Sequence, residues 1–245
     1  MNIAVITDST IQYSYQGCEI TVFNSDFKAD IETMVSYDAA FLVHPYSENA
    51  SRRWCAHPHL RCVRSTEKLT EEIDYLFKGI ECEIKLLIRL PDSSFFRKYG
   101  GVESEIEQVY LKGDNESHRI RKRKTGDTVR YIETVKIRIN PAVSKEYENK
   151  ISEYEYNKLF EKQDEAKHPI NKKRYCFLYK EQFFELDIYD FWDDRATLEL
   201  ELKNIDEKYE LPPEIEVIKD VTNDKRYKNN KLAGIKYEDY KTELL

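Results

Sequence analysis

The sequence predicts an α+β protein. A small N-terminal α/β unit over residues 1–79 is followed, over residues 80–245, by an antiparallel β tunnel of about eight strands with flanking helices. Three observations carry this. Up to Gly79, strand-like and helix-like runs alternate, the pattern of a short parallel sheet with right-handed crossovers. After Gly79, one run after another alternates charged and apolar residues with a period of two. Glycine is scarce, 7 of 245, and neither GxxxxGK nor GxGxxG occurs, so no glycine loop is available to cradle a phosphate.

In the first unit, Ile3-Ala4-Val5-Ile6-Thr7 is a β-branched strand ending at Asp8-Ser9-Thr10, and Glu19 to Phe23 is a second strand. Asp26 to Ser36 fits a helix with Phe27, Ile31 and Met34-Val35 on one side. Asp38 to Val43 reads as a buried strand and Arg61-Cys62-Val63 as a fourth. Ser65 or Thr66 caps a helix to Lys78, and Gly79 suits a left-handed stop. The unit resembles a cut-down receiver or other Rossmann-like domain in architecture alone. Its third strand ends in His44-Pro45, where a phosphoacceptor Asp would stand, and Asp8 reads as a turn or cap residue. No chemistry is assigned to it; a homodimer contact or a protein partner is the expectation. Cys55, His57, His59 and Cys62 are four zinc-ligand types within eight residues, but their spacing fits no common finger and reads better as a loop entering a strand.

Composition narrows the classes. Lys+Arg number 39 against Asp+Glu 46, a formal net charge of −7, which argues against general nucleic-acid binding. No apolar run approaches the ~20 residues of a membrane helix. No basic leader precedes an apolar stretch, and five cysteines do not form an even disulfide framework, so a cytoplasmic protein with reduced thiols is expected.

The alternating runs then specify the second unit. Glu81, Glu83 and Lys85 fall on one face, with Cys82, Ile84 and Leu86 on the other. His118 to Arg123 sets three arginines on one face, and Tyr131 to Arg138 sets Thr134, Lys136 and Arg138 together. Lys172 to Tyr175, Phe184 to Ile188 and Leu198 to Leu202 alternate likewise. Lys112-Gly113-Asp114-Asn115, Lys124-Thr125-Gly126-Asp127 and Tyr179-Lys180-Glu181-Gln182 are hairpin links. Ser152 caps a helix over Glu153 to Lys162, and Asp224 to Leu232 reads as another. Some strands offer carboxylates and others Arg or Lys. Turned into a shared bore, such charges are costly unless counter-charges bind them. Carboxylates there invite a divalent metal and guanidinium groups invite phosphate oxygens.

From about Gly79 to Leu232 the chain resembles the CYTH domain, or triphosphate tunnel metalloenzyme, family. The family's ExExK stands as Glu81-Cys82-Glu83-Ile84-Lys85 and its QxYL as Gln108-Val109-Tyr110-Leu111. RxR stands as Arg119-Ile120-Arg121, TxK as Thr134-Val135-Lys136, and ExE as Glu146-Tyr147-Glu148 before Ile151-Ser152. Ile170 to Tyr175, Phe184 to Asp187 and Glu199-Leu200-Glu201 follow in order, and the tail from Asp220 through Tyr227, Asn229 and Asn230 is similar too.

The resemblance implies an eight-stranded CYTH-like tunnel binding triphosphate with Mg²⁺ or Mn²⁺. It implies metal ligands at Glu81, Glu83, Asp187, Glu199 and Glu201, with Glu146 and Glu148 nearby in catalytic roles. The phosphate clamp would be Lys85, Arg119, Arg121, Lys136, Lys172 and Arg174, with Lys85, Arg119, Arg121 and Lys136 also acting on the reacting phosphoryl group. The implied reaction is in-line attack of water on the terminal phosphorus of inorganic triphosphate or a nucleoside triphosphate. Two alternatives stand beside it: a class IV-type adenylyl cyclase making cyclic AMP, and a non-catalytic polyphosphate or nucleotide sensor. The His-Phe pair of some cyclase-like members is here Leu76-Phe77. Ser144 stands where the family often has Arg, and Lys145 falls on the opposite face.

Overall fold

The computed structural model describes residues 1–113, 117–140, 142–204, 206–235 and 239. Strands β1 (Asn2–Ile6), β2 (Glu19–Phe23), β3 (Ala39–Val43) and β4 (Leu60–Val63) form a parallel sheet in the order β2-β1-β3-β4. Every residue of β3 is buried, as a central strand covered on both faces requires. On one face Ile3, Val5, Phe41 and Val43 pack against Leu69 and Ile73 of helix α3 (Thr66–Phe77). On the other, Ala4, Ile6, Ala40 and Leu42 meet Met34 of α1 (Ile31–Ser36) and Trp54 of α2 (Glu48–Trp54).

Helix α1 is shorter than the apolar spacing suggests. Asp30, not Asp26, accepts from the Thr33 amide at 2.7 Å and so fixes the start. The sequence gives no periodic signal for α2, because Ala50 and Trp54 are its two buried side chains and the Ser47 cap supplies the rest.

The second sheet is antiparallel. Its strands are β5 (Ile80–Arg89), β6 (Val102–Tyr110), β7 (His118–Thr125), β8 (Thr128–Arg138), β9 (Val143–Ile151), β10 (Ile170–Tyr179), β11 (Gln182–Tyr189), β12 (Arg195–Leu202) and β13 (Val217–Asp220). The order β12-β11-β10-β6-β7-β8-β9-β5 closes on itself through β12 and β5, giving an eight-stranded barrel. β13 lies beside Leu86 to Ile88 on the edge of β5 that β9 leaves after Cys82. Two-residue turns set the registers. Gly126 (φ 56°) precedes Asp127 between β7 and β8, and Lys180 and Glu181 take φ of 49° and 63° between β10 and β11. Asp114 and Asn115 of the other expected hairpin tip lie outside the described residues.

The apolar outer face is covered as its burial demands. Phe95 of α4 (Ser93–Tyr99), a helix the sequence reading does not contain, packs on Phe177, Phe184 and Leu186. Tyr156 of α5 (Glu153–Phe160) covers Val109 and Ile120, and Ser152 with Glu155 forms the capping box. The expected last helix is instead a 3₁₀ turn (Lys225–Tyr227) followed by α6 (Asn229–Leu232).

Other parts of the chain pack against both barrel ends. At one end Leu87, Tyr110 and Tyr189 meet Trp192, Val221, Tyr227 and Leu232. At the other, Cys176, Leu178 and Phe183, in line with the inward Arg174 and Glu185, pack against Trp54, Cys55 and Ala56 of the α/β unit. Among the described residues no helix is long and apolar enough to cross a membrane.

Candidate active site

Period-two alternation turns the charged positions inward, and the register brings them face to face. Lys136 is opposite Glu146, Thr134 opposite Glu148, Lys85 opposite Glu199, and Glu83 opposite Glu201. A cavity of about 130 Å³ results. Of the expected site residues, Glu81, Glu83, Lys85, Arg119, Arg121, Lys136, Glu146, Glu148, Arg174, Glu199 and Glu201 line it. Lys172 and Asp187 do not. They point inward but are buried behind the lining as an ion pair, and Asp187 has no exposed surface.

The charges fall into two clusters. In the first, Lys136 pairs with Glu146 and reaches Glu81 at 3.2 Å and Glu83 at 4.0 Å, while Arg119 meets Glu146 at 3.2 Å. In the second, Arg174 donates to both Asp187 oxygens at 2.7 Å, to Glu199 at 2.8 Å and to Glu185. Lys85 adds a 2.7 Å pairing with Glu199. Arg121 lies apart from both, reaching Gln108 Oε1 at 3.4 Å and Glu148 at 4.0 Å. The Nε of Arg119 and of Arg121 is buried without a hydrogen-bond partner among the described residues.

These surroundings set the ionisation states. Burial opposes the charge on Lys85, but Glu199, Tyr189 and Glu83 together more than offset it and hold the ammonium protonated well above its usual range. Burial likewise opposes Lys136, and Glu146 and Glu81 override it. Burial and Arg174 pull Lys172 down to about 8. Burial and the neighbouring Glu146 push Glu81 up to about 8. Glu146 itself, despite burial, is pulled to about 2 by Arg119 and Lys136.

A stability prediction follows from Glu81. The folded chain keeps this proton up to about 8, whereas an ordinary glutamate releases it near 4.5. Between those values the folded state binds more protons, so this group's contribution falls as pH rises. Glu81→Gln removes the penalty. At pH 5 the variant and the parent should melt together. At pH 8.5 the variant should melt a few degrees higher, at ~2–4 °C per kcal/mol for a chain of this size. Parallel melting curves across that range would refute the assignment.

The sequence reading leaves out several residues of this site. His59 of the α/β unit hydrogen-bonds Glu148 at 3.2 Å, and Arg61 pairs with Glu201 while lying over the Tyr75 ring at 5.0 Å. The unit read as chemically silent therefore touches two tunnel carboxylates. His57 locks this loop: its Nδ1 accepts from the His59 amide at 3.0 Å, so Nε2 carries the proton that is donated to Tyr37 O at 3.1 Å. Cys55 donates to Ser51 O. Lys228, from the turn before α6, reaches Glu83 at 3.5 Å. Ser144 does point inward, opposite Glu81 and Arg138, and Lys145 lies outward over Tyr147.

Fold and interior together define a closed antiparallel barrel with a charged bore, consistent with a CYTH domain. Among solved structures the chain is similar to the inorganic triphosphatase NE1496, with 28% identity over 64% of this chain and 95% of that one and a TM-score of 0.42. It is also similar to protein PH1819 from Pyrococcus horikoshii OT3, with 18% identity over 51% and 80% and a TM-score of 0.40. HpAC1 from Hippeastrum, described as having a dominant triphosphatase activity, shares 15% identity over 49% and 79% with a TM-score of 0.35. No family model and no curated protein matches the sequence.

Proposed function

We propose that the chain is a divalent-metal-dependent triphosphate hydrolase, cleaving a phosphoanhydride bond of inorganic triphosphate or a nucleoside triphosphate inside the barrel. The observation that carries this is the state of Arg119 and Arg121. Two inward guanidinium groups, two residues apart on β7, line the charged bore with Nε atoms that are buried and have no hydrogen-bond partner among the described residues. A buried donor without a partner is expensive, and phosphate oxygens are the acceptors that guanidinium forks suit best.

The chain's own groups then divide the work. Arg119 and Arg121 bind and orient the phosphoryl oxygens. Lys85 and Lys136, kept protonated by their carboxylates, stand as fixed charges against the negative charge that develops on the leaving oxygens. Glu148, hydrogen-bonded by His59 at 3.2 Å and Thr134 at 3.1 Å, is a further carboxylate acceptor at the edge of the bore. Glu81, Glu83 and Glu201 are hard oxygen donors on the paired strands β5 and β12, and Glu83 is contacted at 3.5 Å and beyond. Carboxylate oxygens are the donor type that Mg²⁺ or Mn²⁺ takes, although as the side chains stand no three such residues converge on one point among the described residues. When bound, the ion supplies charge neutralisation at the phosphate oxygens. Asp187 and Glu199, tied up by Arg174, Lys172 and Lys85, serve to hold those cations in place.

Product analysis tests this. The protein is incubated with triphosphate, ATP or GTP in Mg²⁺, in Mn²⁺ and in chelator. Orthophosphate released only with metal is expected. Cyclic nucleotide with pyrophosphate would replace the hydrolase reading by a cyclase. A ligand-induced rise in melting temperature without products would replace it by a sensor.

A further inference from the structure

A second cavity, about 500 Å³, lies between the α/β unit and the barrel. It adjoins the first along a shared wall of Pro58, His59, Glu81, Glu146, Glu148 and Glu201. Past that wall the lining turns mixed, with Tyr37, Leu76, Ile80 and Ile132 giving apolar surface and Asp38, Arg61, Arg130 and Lys150 giving charge. Its volume falls within the ~300–1,000 Å³ of pockets that enclose a small organic molecule, which the tunnel cavity does not reach.

The chemistry of the wall limits the occupant. Glu146, Glu148 and Glu201 stand on this wall as carboxylate acceptors, which take hydrogen bonds from hydroxyl and amino groups. A hydroxylated organic group is therefore suited to this point. Tyr37 and the aliphatic side chains beyond provide the surface that a flat or partly apolar group buries.

We propose that this cavity seats the organic, hydroxyl-bearing end of the substrate. The α/β unit then completes the site, and the preferred substrate class is an organic triphosphate such as a nucleoside triphosphate rather than free triphosphate. This rests on the tunnel reading above. The reaction is unchanged: water adds to the terminal phosphorus, the P–O–P bond breaks, orthophosphate and the organic diphosphate leave, and the water's proton passes to solvent.

The test uses the whole chain with ATP, GTP and inorganic triphosphate as separate substrates. In the parent protein kcat/KM should be higher for a nucleotide than for triphosphate. Leu76→Trp, from α3, and Ile80→Phe, from the start of β5, each place bulk in the cavity. Each should lower the ratio of nucleotide to triphosphate kcat/KM by about tenfold or more. Melting temperatures identify a variant that has failed to fold, and the parent's own preference remains a test if both do. A parent that prefers triphosphate, or a ratio unmoved by both folded variants, overturns this proposal while leaving the tunnel reading intact. No turnover of any of the three substrates overturns both.

Discussion

Arg121→Met is expected to cut triphosphate turnover by about 10²–10³ while leaving the melting temperature unchanged or slightly raised. Both halves come from the same geometry. Arg121 reaches Gln108 at 3.4 Å and Glu148 at 4.0 Å, its Nε is buried without a hydrogen-bond partner among the described residues, and burial followed by repulsion from Arg119 lowers its pKa. Such a cation costs the fold more than it returns, so truncating it to an apolar side chain of similar length relieves strain. The same unsatisfied donors are what a phosphate would engage, so its loss falls on the ligand. Steady-state kinetics and thermal melting on one preparation check the pair of outcomes. A variant with parental turnover would remove Arg121 from the site, and a variant that melts far below the parent would make its role structural.

The inward lining was legible because its signal is local. Alternation at period two assigns Glu81, Glu83 and Lys85, or Glu199 and Glu201, to one face without knowledge of any partner strand. Hairpin turns at Gly126-Asp127 and Lys180-Glu181 then place neighbouring strands antiparallel. Depth was not legible. Alternation turns Lys172 and Asp187 inward, but it cannot say that they lie behind the cavity wall rather than in it. Nor could it find His59 and Arg61, whose partners Glu148 and Glu201 are 89 and 140 residues away. Those contacts exist because Cys176, Leu178 and Phe183 extend past the bore and offer the α/β unit an apolar seat. A single sequence carries no trace of that docking. The short helices α2 and α4 escaped for a different reason. Each is seven residues long and is fixed by a cap, Ser47 or Asp92, rather than by a periodic apolar stripe.

Arg174→Met should have the opposite profile to Arg121→Met, losing stability as well as turnover. Arg174 is buried and bonds Asp187 through two nitrogens, Glu199 through one, and Glu185. Its pKa is carried far above the usual value because these carboxylates outweigh burial. Removing it strands Asp187, which has no exposed surface and would keep Lys172 as its remaining ion-pair partner among the described residues. Breaking a buried pair in this way costs about 3–5 kcal/mol, or roughly 10 °C in melting temperature for a chain of this size. The sign of the pH dependence separates this cause from simple loss of packing. With Arg174 gone, the folded-state pKa values of Asp187, Glu185 and Glu199 rise toward or above those of the unfolded chain. The penalty of the variant should then shrink as pH falls through the carboxylate range, because protonation neutralises the stranded groups. A double variant, Arg174→Met with Asp187→Leu, should recover part of the lost stability at neutral pH without recovering activity, since it removes the uncompensated charge and leaves the clamp incomplete. A deficit that is equal at pH 4 and pH 8 and unmoved by the second substitution would assign Arg174 to packing and detach this cluster from the electrostatics of the bore.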